Sequence, residues 1–270
     1  MRVRRPRFDL TGVSPRWAPV PEFAHHVNAS GIVPSAVEPF LIKVFRRAKA
    51  ELDPVADAAL IADIDIFNRQ EAQHYKSHEL FNEMVASNGY PELRRFDEQL
   101  KAEYDEMFRT RSLEWLLGYC EGFESLASAG AEMWVDAGWG EYLEGADPQV
   151  VAVWTWHLAE EFEHRMVAYD LFHRLATGTP EEVHRKRVEL FQYAVEHIRS
   201  HTGALRAYLL EVDRASMDEA ERAASVAREQ AIDDHFAKGY ARVAQVVEPT
   251  YNPANLPLPT RLDEVLNAYA

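Results

Sequence analysis

The sequence predicts an all-α protein, and three observations carry that prediction. No stretch alternates polar and apolar residues over the length of a strand, and the apolar residues recur instead at helical spacing. The segments with this spacing are bounded by helix-starting and helix-stopping pairs such as Asp53-Pro54, Asn88-Gly89 and Asp147-Pro148. A Gly-rich phosphate loop, a low-complexity tract and a tandem repeat are all absent from the sequence.

Taken in order, residues 1–34 contain Pro6, Pro15, Pro19, Pro21 and Pro34, which fix backbone angles and remove donors, so they read as an extended surface arm. His25-His26 within it reads as polar surface or packing. Glu38-Pro39 reads as the start of the first helix, because proline suits a first turn and holds the preceding residue out of the helical region. Asp53 is a natural N-cap with Pro54 at the first helical position, and apolar spacing runs through Ile61, Ile64, Phe67 and Phe81 to Asn88-Gly89. Pro91 opens a charged, more exposed connector helix. A third apolar helix runs from Leu113 to about Ala137, closed by Gly138 and Gly140. Asp147-Pro148 launches a fourth, which stops near Gly178. Thr179-Pro180-Glu181-Glu182 and Ser216-Met217-Asp218-Glu219 match capping boxes for a fifth and a sixth helix, and proline dominates the tail over 248–270.

Charge and cysteine usage narrow the function. A net charge of -15 leaves no broad basic stripe for phosphates, so nucleic acid is excluded as a partner. The single cysteine, Cys120, excludes an intrachain disulfide framework and a cysteine-rich metal site, and suits a reducing, cytoplasmic location. Met1 to Arg7 is basic, but it runs into polar, proline-rich sequence rather than an apolar signal region, and no apolar run reaches the roughly 18 to 20 residues needed to span a bilayer.

The chemistry concentrates in Val153 to Asp170, where aromatic and aliphatic residues surround a cluster of His and Glu. At about 100° per residue, His157, Glu161 and His164 fall in a sector of roughly 60° on one helix face. Glu71/His74 and Glu161/His164 are two Glu-x-x-His steps, each projecting both side chains from one face about one turn apart. Glu38 and the third-helix pair Glu121 and Glu124 also fall where the apolar pattern places the core. One Glu from each of two helices plus Glu-x-x-His from each of two others is the ligand set of ferritin-like dinuclear sites. The expected architecture is therefore a ferritin-like four-helix bundle core with extra helices and an extended arm. It forms a single domain over 1–270, with the metal-binding helices and connector over 36–178 and additional helices over 180–247.

Four buried glutamates without cations would repel one another and carry a large desolvation cost, whereas two divalent ions cancel four charges. The expected ligands are Glu38, Glu71, His74, Glu121, His157, Glu161 and His164, with His78, Glu124, Glu160 and Glu163 in supporting positions. Competing readings attach to several of them. Ser35-Ala36-Val37-Glu38 also fits a capping box, which Pro39 argues against. Only one of Glu121 and Glu124 need be a ligand, and Glu121 is preferred. Glu160 can pair with His164 at four residues' spacing, and Glu163 can be solvated. His173, His184, His197, His201 and His235 lack matching carboxylate spacing and read as structural or exposed.

Three stretches resemble the bacterial family labelled "predicted metal-dependent hydrolase": Ser30 to Phe45 with Glu38, Gln70-Glu71-Ala72-Gln73-His74-Tyr75-Lys76-Ser77-His78, and Trp156 to Asp170. The resemblance covers most of residues 1 to about 200 and implies a ferritin-like fold. The sequence departs from the family at Val37, where glycine is expected, and at Cys120-Glu121-Gly122-Phe123-Glu124, where Glu-His is expected. His157-x-x-x-Glu161-x-x-His164 also resembles the last metal-binding helix of the p-aminobenzoate N-oxygenases, whose di-iron site has three histidines. Together the resemblances imply Glu38, Glu71 and His74 at one metal, and Glu121, His157, Glu161 and His164 at or bridging to the other.

The leading expectation is a di-iron oxygenase that activates O2 to oxidise a small apolar or aromatic substrate, with electrons from an external donor. Phe40, Phe67, Tyr119, Phe123 and Phe162 are the candidate walls, although packing of the bundle is the preferred reading for each. The alternative is a two-metal hydrolase of an ester, amide or phosphate, with manganese or zinc in place of iron. The third is a metal-storage or helical binding protein. The amphipathic fifth and sixth helices either cover the bundle or form a homodimer contact.

Overall fold

The computed structural model describes residues 1–136, 139–240 and 243–269, so the expected third-helix end at Ala137-Gly138 lies outside the described residues. Every regular element among them is helical. In chain order the α-helices are α1 (Pro21–Ser30), α2 (Ile32–Lys49), α3 (Ala58–Ser87), α4 (Leu93–Thr110), α5 (Leu113–Val135) and α6 (Gly140–Leu143). They continue as α7 (Pro148–His164), α8 (Met166–Leu175), α9 (Pro180–Arg214), α10 (Glu219–Tyr240) and α11 (Leu262–Ala268).

Four helices enclose the centre. α2 packs on α3 and α5, and α7 packs on the same two from the opposite side, so the helices stand in the cyclic order α2, α3, α7, α5. The remaining helices cover this core. α4 lies on α2, α9 runs along α5 and α1, α10 packs on α1, and α11 packs on α7. The fifth expected helix, α9, thus covers the bundle along α5, and the sixth, α10, packs mainly on α1.

Local chemistry explains most boundaries. Asp147 Oδ1 accepts from the Gln149 amide at 2.9 Å, with Pro148 in the first helical position. Thr179 and Glu182 form the expected reciprocal box, with bonds of 3.3 and 2.8 Å. Gly89, at φ +117°, takes the chain out of α3 through a conformation that side chains disfavour.

Other boundaries differ from expectation. The extended arm ends at Val20, because Pro21 starts α1 as a first-turn proline and the chain stays helical almost without pause through Ile32. Pro39 does not open a helix but lies inside α2, so Glu38 is helical and the Ser35 carbonyl loses its usual donor. That costs about 3 kcal/mol. Burial of Ile32, Ala36, Val37, Phe40, Leu41, Val44 and Phe45 on the same helix offsets it. Asp53 caps a turn rather than α3 itself, accepting from the Val55 and Ala56 amides at 2.8 Å each, and the helix begins at Ala58.

The fourth expected helix is broken at Arg165 into α7 and α8. The Phe162 carbonyl is taken there by Arg165 Nη1 at 2.7 Å. The sixth helix is capped two residues later than expected: Asp218 and Glu221 exchange the capping bonds, while Ser216 donates to the Asp213 carbonyl. The proline-rich tail contains α11, whose Leu262, Val265 and Leu266 bury against Ala131, Val135, Ala159 and Phe162. Among the described residues, no helix is long and apolar enough to cross a membrane.

Candidate metal centre

Each core helix contributes acid or imidazole to one buried cluster. Glu38 comes from α2, Glu71 and His74 from α3, Glu124 from α5, and His157, Glu161 and His164 from α7; none is more than 3 % exposed. Their ligand atoms converge as two groups. Glu38, His74, His157 and Glu161 form one, and Glu71, Glu161 and His164 form the other, with Glu161 common to both.

The distances describe how Glu161 joins them. Its Oε1 lies 2.9 Å from His157 Nε2 and 3.4 Å from His74 Nδ1, and its Oε2 lies 3.2 Å from His164 Nε2. Glu38 Oε1 is 3.1 Å from His157 Nε2, Glu71 Oε1 is 3.3 Å from His164 Nε2, and Glu124 Oε2 is 3.4 Å from the same nitrogen. Ligands about 2.0–2.1 Å from a shared tetrahedral ion would stand roughly 3.3 Å apart, so these separations are those of a ligand shell.

Hydrogen bonding gives the clearest test of fit. Both carboxylate oxygens of Glu38, Glu71 and Glu124, and His74 Nδ1, are buried and make no hydrogen bond with any described residue. Buried polar atoms are rarely left so, and a cation among them accounts for all seven. The residues therefore fit a metal.

The second nitrogen of each histidine is occupied. His74 Nε2 meets Glu160 Oε2 at 2.9 Å, His157 Nδ1 meets His78 Nε2 at 2.8 Å, and His164 Nδ1 lies 3.4 Å from Gln70 Oε1. Arg4, from the arm, bonds Glu160 and Glu163 at 2.9 Å each, and Gln70 Nε2 donates to Glu163 at 2.8 Å. Partners of this kind fix ring orientation and leave the other nitrogen facing the cluster.

The electrostatics follow from burial. Desolvation and Glu71 hold the Glu38 carboxyl well above its usual range, and desolvation and Glu161 push Glu124 up to about 8. Burial also works against the Glu161 carboxylate, but His164, His157 and His74 hold it well below the usual range. Burial and the neighbouring His74 push His157 down to about 4, which leaves it the neutral imidazole that a metal needs.

Several expected roles change. Glu121 does not join the cluster: its Oε1 accepts from Ser125 at 3.0 Å and from Arg187 at 3.3 Å, so Glu124 is the third-helix carboxylate that faces His164. Gly122 makes this arrangement accessible, because a Cβ there would stand 2.7 Å from the Phe191 backbone and hold α9, which carries Arg187, away from α5. Glu160 pairs with His74 rather than His164, and Glu163 is held by Arg4 and Gln70 rather than solvated. The grouping also differs from the one the resemblances imply, since His157 stands with Glu38 and His74, and Glu71 with His164.

Arg4 and Gln70 are site residues that the sequence reading missed. Gln70 sits inside a quoted motif, but nothing in the basic run at the N-terminus marks Arg4 for burial. Of the expected aromatic walls, Phe40 packs on Tyr104 and Tyr119, Phe67 on Phe45 and His164, and Phe162 under α11. His25, expected at the surface or in packing, is fully buried beside Asp213 and Tyr90.

A family model described as "Predicted metal-dependent hydrolase" matches residues 2–256. The chain belongs to this family of predicted metal-dependent hydrolases. No curated protein and no solved structure matches it. The match corrects the oxygenase expectation, because the family description names hydrolysis, which consumes water and calls for neither O2 nor an electron donor. The family description supports a metal without naming one. What stands is an enzyme family dependent on metal, with clustered residues able to hold it.

Proposed function

We propose that the protein is a two-metal hydrolase of a small ester, amide or phosphate. The observation that carries this reading is Glu161, whose two oxygens face two ligand groups inside a cage of carboxylates that otherwise lack partners. Glu38, His74 and His157 would hold one ion, Glu71, Glu124 and His164 the other, and Glu161 would bridge. Four carboxylates balance two divalent charges, and N and O ligands without thiolate suit zinc or manganese. When bound, such ions lower the pKa of water to near neutrality and polarise the bond to be cleaved.

The chain's own contribution is orientation and exclusion of water. Glu160, His78 and Gln70 hold the three imidazoles, and the Arg4–Glu163 pair anchors two of those holders. Trp156, fully buried, packs edge-on against His74 at 4.8 Å. A cavity of about 130 Å³ lined by Trp154, Leu158, Trp134, Trp139 and Phe236 lies on the His157 side, with the Trp154 ring 6.2 Å from that of His157. Its apolar walls suit a small apolar acyl or aromatic group.

Metal-loaded protein is expected to hydrolyse a simple ester, amide or phosphate under strict anaerobiosis, to lose the activity on chelation, and to regain it with Zn2+ or Mn2+. Background rates on all three bond types with fully loaded protein would sink the proposal. The third-helix assignment has its own test by metal analysis. Glu124→Gln is expected to lose bound metal, whereas Glu121→Gln keeps it but destabilises the fold by about 3 kcal/mol, because Arg187 is left buried without its partner. The opposite pattern would restore Glu121 as the ligand.

A further inference from the structure

A second cluster, unrelated to the buried cage, lies where α4 meets α9. His197 and His201, four residues apart on α9, turn the same nitrogen, Nε2, toward one oxygen of Glu103 on α4, at 3.2 and 3.0 Å. All three ligand atoms lie within 4.8 Å of one another. The imidazoles are held, with side chains 8 % and 11 % exposed, while Glu103 is 40 % exposed at the mouth of a cleft of about 420 Å³.

The geometry points to a zinc-binding site formed by Glu103, His197 and His201. Two histidines one helical turn apart and a carboxylate from a facing helix supply three ligands, and the separations of about 3 Å match neighbouring corners of a tetrahedral zinc shell, which are roughly 3.3 Å apart. The fourth corner opens into the cleft.

Supporting contacts resemble those of built sites. His197 Nδ1 is 2.8 Å from the Tyr119 hydroxyl, which is 2.8 Å from that of Tyr104, and both tyrosines are buried. With Nδ1–H donating to the Tyr119 hydroxyl, Nε2 presents its lone pair on the side of Glu103 Oε2, the orientation that an ion between them requires. Gln99 Nε2 donates to Glu103 Oε1 at 3.2 Å, leaving Oε2 for the ion. Burial lowers the pKa of His197, which favours the neutral, ligating form.

The alternative is a solvated ion pair, and metal binding separates the two. Full-length protein is titrated with Zn2+, and bound zinc per chain is measured after desalting, in wild type, Glu103→Ala, His201→Ala and Glu161→Ala. The two surface variants are expected to bind one ion fewer than wild type, while Glu161→Ala loses the buried ions and keeps this one. Tyr119→Phe is expected to keep the stoichiometry and weaken the site about tenfold, as loss of a hydrogen bond to a ligating histidine does. Co2+ should give tetrahedral visible absorption in Glu161→Ala that vanishes in Glu161→Ala/His201→Ala. Equal zinc content in wild type, Glu103→Ala and His201→Ala, each folded by circular dichroism, would overturn the proposal.

Discussion

Glu161→Gln is expected to release metal from the buried cage and to bring hydrolysis down to background. The carboxylate stands within 3.4 Å of imidazole nitrogens from His157, His74 and His164, so it is the one side chain whose loss disturbs both ligand groups. Glutamine keeps the shape but removes a charge and replaces one acceptor oxygen by a donor. Each ion then loses a ligand, and four charges no longer face four. Metal analysis after desalting, with activity measured on the same sample, checks this result, and circular dichroism confirms that the helices remain. Metal content near the wild-type value would contradict the bridge and favour a protein whose glutamates serve mainly solubility. Glu71→Gln tests the argument from the other side, since Glu71 belongs to one group only and should leave the other ion in place.

The parts of this cage that obey helix arithmetic were readable from the sequence, and the parts set by long-range packing were not. Glu71/His74 and Glu161/His164 stand three residues apart, and His157 shares the face of Glu161, so rotation alone brought each set together. Glu121 and Glu124 are also three apart, and rotation cannot rank them. Arg187 ranks them, arriving from α9 66 positions later in the chain and neutralising the first. Arg4 reaches Glu160 across 156 positions, from an arm whose proline content marked it only as irregular. Pro39 misled for a related reason: the local rule disfavours helix at Glu38, but the apolar face of α2 is buried so fully that packing overrides the backbone cost. His197 and His201 were set aside because no carboxylate stands at helical spacing from their shared face, and the one that meets them belongs to α4.

A second large effect lies away from the metals, at Asp213 near the end of α9. Its carboxylate accepts from Arg16 Nη2 at 2.8 Å and Nε at 2.9 Å, from the Tyr90 hydroxyl at 2.5 Å, and pairs with His25 Nε2 at 2.9 Å. One side chain thereby ties the arm, α1 and the turn before α4 to α9. Asp213→Ala leaves His25 and Tyr90 buried without this acceptor and is expected to cost about 3–5 kcal/mol, read as a fall of the unfolding midpoint by roughly 10 °C. Bound metal should be unchanged.

The pH dependence identifies the group responsible. Burial pushes Asp213 up, but the bonds from His25, Arg16 and Tyr90 hold its carboxylate well below the usual range. A carboxylate depressed on folding contributes its full stability above its unfolded value of about 3.9 and loses it as pH falls through the lower folded value. The difference between wild type and Asp213→Ala should therefore stay level from pH 8 to pH 5 and close only below about pH 4. A difference that closes between pH 7 and pH 5 would show that the carboxylate is not what stabilises this junction.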